Sequence, residues 1–409
     1  MRELLGEFVV DDSDAGVDAS VDADARVDVV EDRSVVPDTG PDVFDAGPKC
    51  GTTGLVCCAT APACKGNTLC CVGNCVDHFT DPKNCGGCGH DCRGSACNGT
   101  FCDPIILGSV PGTDAVSMVV GPAAAYFSMF FPSSKGILYE CDVVNGCPGP
   151  IPRMTNLAFA GDVAQTATEV FLADFNANQV WSFDKLTKNV TGHAMANPNA
   201  IDVEGTLLFA ASAGVPLQSK VNFPANPPAL NGGAPESAVD IVASGNSTNV
   251  FWTRSGASWE IRAAAENTTT AKTIYTTTQQ ISSIAADGAN LVWVEQFSNG
   301  TASIMTCPAN PNSCTATQLA SGLHMGSRMN TVALVGPNAY FTSRDGASTR
   351  VDAYRCPIAG CNQNPATIAF VPVQGGAVAG PIVRDAQGWV YFLVSDQNGT
   401  RIAKAADLP

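Results

Sequence analysis

Seven times along residues 104–409 a pair of large apolar residues recurs: Tyr126-Phe127, Val170-Phe171, Leu208-Phe209, Phe251-Trp252, Val292-Trp293, Tyr340-Phe341 and Tyr391-Phe392. The second members are separated by 44, 38, 43, 41, 48 and 51 residues. Each pair follows a short β-like run and a turn, as in S-I-A-A-D-G-A-N-L-V-W-V-E (283–295), and is followed by a polar turn and another strand. Several short strands repeating every 40–45 residues or so are the pattern of propeller blades. One blade cannot bury both faces of its sheet alone, so the ring is the folding unit. Composition removes the helical alternatives: 10 Glu and 9 Lys among 409 residues are too few solvent-facing helix formers for a bundle or coiled coil.

The fold class expected is therefore all-β, with a seven-bladed β-propeller over 104–409. Its 306 residues give roughly 44 per blade. The last repeat supplies strands at 380–384, 389–395 and 400–404, while P-I-I-L-G-S-V at 104–110 precedes the first repeat and lacks a partner. That segment is expected to close the last blade and remove a free sheet edge. The third repeat, 199–237, contains F-P-A-N-P-P-A-L-N-G-G-A-P, which is poor strand material and keeps a six-bladed ring with an insertion as the alternative. At this spacing the aromatic pairs read as packing between blades, not as a sugar-binding stripe. The strings F-W-T-R, V-W-V-E and Y-F-T-S resemble the aromatic-Thr strands of YWTD and NHL propellers, a likeness of fold that carries no catalytic residue.

The formal charge of −16 is localised. Residues 1–48 hold 14 acids against Arg2, Arg26 and Arg33, a net of −11 that leaves −5 for the other 361 residues. This stretch repeats Asp with Ala and Val and cannot bury enough apolar area to offset chain entropy, so a disordered acidic linker is expected. An EF-hand reading of its Asp residues lacks the fixed Gly and terminal Glu of that loop.

Twelve of the 18 cysteines fall in a small module at 49–103: Cys50, Cys57, Cys58, Cys64, Cys70, Cys71, Cys75, Cys85, Cys88, Cys92, Cys97 and Cys102. With so few large apolar residues between them, the module must be stapled by disulfides or metal. N-C-G-G-C-G (84–89) has zinc-knuckle spacing, but a clean second C-x2-C is lacking and His78 and His90 form no H-x3-5-H pair. Disulfides are expected, with a connectivity that spacing does not reveal. The other six cysteines form close pairs, Cys141/Cys147, Cys307/Cys314 and Cys356/Cys361, the first of each lying 14 or 15 residues after the second member of its blade's apolar pair. They are expected to pin the hairpin between a blade's third and fourth strands.

The run C-C-V-G-N-C-V-D-H-F-T-D-P-K-N-C-G-G-C-G-H-D-C (70–92) resembles a module of a family of secreted bacterial proteins. There an N-C-G-x-C-G-x-x-C segment follows an Asp/Ala/Val-rich spacer and precedes propeller-like repeats. The resemblance implies architecture and a secreted or outer-surface location, with no activity attached. The even, abundant cysteines agree with an oxidising compartment. The start M-R-E-L-L-G-E-F-V-V-D-D has no apolar signal region, so a signal peptide, with or without a lipid-anchoring cysteine, is expected upstream of Met1. The longest apolar stretch, 115–132, is broken by Gly121 and Pro122 and fits two strands better than a membrane helix.

Catalytic chemistry at a channel mouth would need converging His, Asp or Glu. The candidates are His193 and His324, which lie between blades, three repeats apart, and are expected on one rim facing each other across the channel. Asp202, Glu204 or Asp287 would join them in a metal-dependent lyase or lactonase. No G-x-S-x-G or phosphate-loop motif is present, and 22 basic against 38 acidic residues disfavour nucleic acid. The six N-x-[ST] sites, at Asn98, Asn189, Asn246, Asn267, Asn299 and Asn398, read as turn chemistry. The expected function is non-catalytic binding of an extracellular protein or carbohydrate by a monomeric propeller that needs no cofactor or metal. The alternatives are the channel lyase or lactonase, and a structural envelope component with no ligand.

Overall fold

The computed structural model describes residues 53–57, 64–66, 68–112, 115–131, 135–212, 217–220, 229–230, 237–245, 249–266, 268–325 and 331–407. The acidic linker expected over 1–48, together with Cys50 and Cys58, lies outside these residues. Every regular element among them is a β-strand.

From Ala115 onward the strands form seven sheets in chain order, six of four strands and a third sheet with three among the described residues. Within a sheet consecutive strands pair antiparallel, so each blade is a meander with its first strand at one edge and its last at the other. The first strands are Ala115–Val120, Val163–Gln165, Pro198–Glu204, Ser237–Ala243, Gln280–Ala286, Val332–Val335 and Val378–Arg384. Each packs against the first strand of the following blade, and the seventh packs against the first, so together they surround an axis. In blade three the Pro-rich stretch 221–228 is outside the described residues, but Leu230 beyond it is buried beside Phe209 and Trp252 in the seam with blade four.

Blade seven closes the ring. Its strands Val378–Arg384, Trp389–Asp396 and Gly399–Ala406 come from one end of the chain, and its fourth, Ile105–Val110, comes from the other. Ile402 lies opposite Gly108 and Thr400 opposite Val110, so backbone hydrogen bonds join the two ends of the propeller.

The core lies in the seams between blades. Successive side chains of a strand point to opposite faces, so the second strand of each blade packs against both neighbours. Tyr126 enters the seam with blade two beside Val170 and Leu172, whereas Phe127 enters the seam with blade seven beside Tyr391 and Leu393. The pairs at 251–252, 292–293, 340–341 and 391–392 divide in the same way. In blades two and three the sequence pairs stand one residue early. The forward-facing residues there are Phe171 and Phe209, and the backward-facing ones are Leu172 and Ala210. Each fully buried aromatic contributes roughly 1.5–3 kcal/mol by leaving water.

The cysteine module has little oil and is held by disulfides Cys57–Cys70, Cys64–Cys75, Cys71–Cys88, Cys85–Cys97 and Cys92–Cys102 around two small hairpins. It rests on blades six and seven. Phe101 meets Phe370 edge-on at 5.2 Å, and Arg93 donates from Nη1 to the Gln387 carbonyl at 2.6 Å. Disulfides Cys141–Cys147, Cys307–Cys314 and Cys356–Cys361 join third strands to the loops leading into fourth strands in blades one, five and six.

Candidate functional site

All seven blades meet at the axis, so side chains from every blade can converge there. A cavity of about 260 Å³ at the axis is lined by every first strand. One belt of its wall is aliphatic: Val163, Ile201, Ile241, Ile284, Val332 and Ile382 each lie opposite the backward-facing residue of their own second strand. One position before this belt stand Ser117, Asp162, Asp240, Ser283 and Thr331, all buried. Blade three has Ala200 at that position and places Asp202 one position after the belt instead.

These polar residues stitch the blades together in one rotational sense. Ser117 Oγ donates to Asp162 Oδ1 at 2.6 Å and accepts the Val163 N–H at 3.1 Å. Asp162 Oδ2 accepts the Ile201 N–H at 3.0 Å, Asp202 Oδ2 accepts Ala243 at 2.8 Å, and Asp240 Oδ2 accepts Ile284 at 3.0 Å. The second oxygen of each carboxylate takes the N–H of the next residue in its own strand, Val163, Val203 or Ile241, at 2.8 Å in each case. Ser128 and Thr342 extend the pattern by donating to the Gly161 and Gly380 carbonyls of the following blade, both at 2.6 Å.

Three carboxylates on three consecutive blades repel one another in a wall that excludes most water. Burial pushes Asp202 up to about 7; N–H bonds from Ala243 and Val203 oppose the rise, and the charges of Asp162 and Glu204 add to it. Asp240 is raised well above the usual carboxylate range, by burial first and then by Asp162 and Asp202. Asp202 is half-buried and lines the cavity, so it keeps access to channel water. A carboxyl poised near neutrality is chemically able to exchange protons, yet both oxygens of each of these groups are already committed to backbone N–H groups, one in its own strand and one in the next blade.

The sequence candidates do not assemble at the channel. His193 lies in the outermost strand of blade two, Val190–Ala194, with Nε2 3.0 Å from Ser182 Oγ, and burial lowers its pKa. His324 follows the outermost strand of blade five and is held through its backbone by Ser343 and Arg344. The expectation that they face each other across the channel is corrected: His193 belongs to the outer edge of blade two, His324 bridges to Arg344 in the second strand of blade six, and neither lines the axial cavity. Asp287 caps a turn by accepting the Ala289 and Asn290 N–H groups, and Glu204 ends its strand half-buried. Of the five, Asp202 alone lines the cavity. Asp162 and Asp240 escaped the reading, although a signal was present. Five first strands read as a small polar residue followed by an apolar run: S-M-V-V, D-V-A-Q, D-I-V-A, S-I-A-A and T-V-A-L.

Two cysteine groups have metal-like spacing, Cys57/Cys64/Cys75 and Cys85/Cys92/Cys102, but all six sulfurs are in disulfides and are not thiolate donors. Cysteines paired throughout the described residues fit an oxidising environment. The three blade disulfides shape one face of the ring, and each pinned loop also leans on the outermost strand of the preceding blade. Cys147 N–H donates to the Leu107 carbonyl at 2.8 Å, Lys272 Nζ to Asn312 Oδ1 at 2.6 Å, and Ser321 Oγ to Gln363 Oε1 at 2.9 Å.

No protein-family model and no curated protein matches the chain. Among solved structures it is similar to that of U3-55K, at 11% identity and a TM-score of 0.54, covering 74% of this chain and 98% of that one. It is also similar to the WD40 repeats of RRP9, at 11% identity and a TM-score of 0.52, covering 74% and 97%. A chain of a nidogen/laminin complex aligns over 58% of this chain and 95% of its own, at 14% identity and a TM-score of 0.41. At such identities the likeness to the first two is one of fold, and that fold is the β-propeller.

Proposed function

We propose that this protein is a non-catalytic binding platform of the extracellular or cell-surface space, carrying a protein or carbohydrate partner on the rigid faces of its propeller. The observation that carries the reading is the commitment of the axial carboxylates to inter-blade backbone bonds, which makes the channel a frame and leaves the loops to meet ligands. The disulfides, together with the resemblance of the cysteine segment to secreted bacterial proteins, support the location. Side chains such as Val144 and Leu186, exposed to 67% and 89% at loop tips, support recognition there. The test is a glycan array and an array of purified extracellular proteins probed with the intact chain. Saturable binding weakened by Val144→Asp or Leu186→Asp is the expected result. A blank panel would favour a structural component without a ligand.

The second reading, a propeller lyase or lactonase, has one observation behind it: Asp202 is raised to about 7 beside the cavity. Lactone turnover that disappears in Asp202→Asn would overturn the platform reading.

A further inference from the structure

A cleft of about 450 Å³ opens at the seam between blades one and two. Its walls include Pro122, Tyr126, Glu140, Asp142, Lys185 and Lys188. Glu140 receives Arg153 Nε at 2.6 Å and stands 3.7 Å from Lys188 Nζ, so it is matched by two cations. Asp142 turns into its own loop, where Oδ1 accepts the Val144 and Asn145 N–H groups at 2.8 and 2.9 Å. Lys185 is different. Half-buried, it donates from Nζ to Gln165 Oε1 at 2.9 Å and to the Thr166 carbonyl at 2.5 Å, and it stands 5.7 Å from the Tyr126 ring. Its partners are all neutral, and no ion pair among the described residues includes it. Burial lowers its pKa with no opposing carboxylate. A desolvated cation without a counter-charge is unfavourable by itself, and an anion entering the cleft supplies what is missing.

We propose that the cleft receives a carboxylate from a protein partner, an Asp or Glu side chain, which pairs with Lys185 while its methylenes pack on Tyr126 and Pro122. This rests on the platform reading and names the chemistry of one contact. Lys188 and Arg153 hold Glu140 occupied, so it does not compete for Lys185.

The test uses the intact chain with 13Cε-labelled lysines, followed by NMR during titration with N-acetylglutamate N-methylamide and with its glutamine counterpart. The expected result is a saturable shift of the Lys185 resonance with the glutamate probe, at least fivefold weaker with the glutamine probe. Lys185→Gln should abolish the binding, Lys185→Arg should retain it with the charge, and Lys272→Gln should leave it unchanged. A Lys185 resonance that stays still, or responds equally to both probes, would overturn the proposal. A protein partner that binds Lys185→Gln as tightly as the native chain would overturn this contact and leave the platform reading standing.

Discussion

Asp162 Oδ2 accepts the backbone N–H of Ile201, one blade further round the ring, at 3.0 Å. The same carboxylate takes the Ser117 hydroxyl from the blade before, so one buried side chain joins three consecutive blades. Asp162→Ala leaves the Ile201 and Val163 N–H groups without that acceptor and should cost about 2–4 kcal/mol, because an orphaned buried donor loses its full hydration. Asp162→Asn keeps one acceptor oxygen and removes a like charge from beside Asp202 and Asp240, so it should cost less than half as much. Urea unfolding of both variants at pH 8 measures the difference, and equal losses would show that the carboxylate's charge is not a liability here.

Asp202 links the same ring to pH. Its folded pKa of about 7 lies above the unfolded value of about 3.9. Between those limits the folded state holds more protons than the unfolded state, so stability falls as pH rises from about 4 to about 7. Below the lower limit the penalty is absent, and above the upper one it is complete. The slope from this residue approaches about 1.4 kcal/mol per pH unit at most, and contact with channel water makes the real value smaller. Asp202→Asn should flatten the profile and raise the unfolding midpoint at pH 8. A variant whose profile matches the native one would remove Asp202 from the pH response.

The ring closes where strand Ile105–Val110 meets Gly399–Ala406, and the disulfide loop of blade one lies directly on that junction. Cys147 N–H donates to the Leu107 carbonyl, and Lys404 Nζ donates to the Val143 carbonyl at 2.8 Å. A Cβ on Gly108 would strike the Cys147 carbonyl, so the close approach requires glycine. Gly108→Ala should lose about 2–4 kcal/mol by forcing this seam apart. Opening the disulfide with Cys141→Ser and Cys147→Ser together should lose about 2 kcal/mol from loop entropy, plus the bond to Leu107. Hydrogen exchange at residues 105–110 should quicken in both variants before the rest of the propeller responds, and a uniform change across all blades would contradict the junction's special role.

The period of the apolar pairs made the seven sheets and their circular closure legible, because each seam needs one large side chain from each neighbouring second strand. It misplaced the pairs in blades two and three by one residue. Leu172 and Ala210 are too modest to mark the backward-facing position, so Val170 and Leu208 stood in for them. His193 and His324 drew attention through chemistry alone. Their phase in the repeat was visible, but whether a residue between blades belongs to the axis or the outer edge depends on which strand it extends, and the sequence does not number strands from the axis. Asp162 and Asp240 were missed for the opposite reason: a lone Asp before an apolar run reads as a turn, and only the packing of consecutive blades brings it beneath the next blade's N–H. The disulfide pairing of the module required three-dimensional proximity that spacing did not supply.

Trp389 lies between two cations, the Arg93 guanidinium 5.4 Å from its ring and Lys404 Nζ at 4.9 Å. Arg93 belongs to the cysteine module and Lys404 to blade seven, so Trp389 couples the module to the closing blade. The guanidinium adds its hydrogen bond to the Gln387 carbonyl, and Phe101 adds the edge contact with Phe370. An exposed cation–π contact and one hydrogen bond together are worth about 1–2 kcal/mol, enough to hold a module already tethered through Asp103 but not enough to change global unfolding. Arg93→Ala with Phe101→Ala should therefore release the module while the propeller keeps its urea midpoint. An endoprotease that cleaves before Asp would report the release, because the Asp103 N–H is held by the Ala96 carbonyl at 2.8 Å in the docked module. Cleavage at Asp103 should accelerate roughly tenfold, the equivalent of about 1.4 kcal/mol. A rate equal to that of the native chain would mean that the disulfides alone fix this segment and that the docking contacts contribute nothing to it.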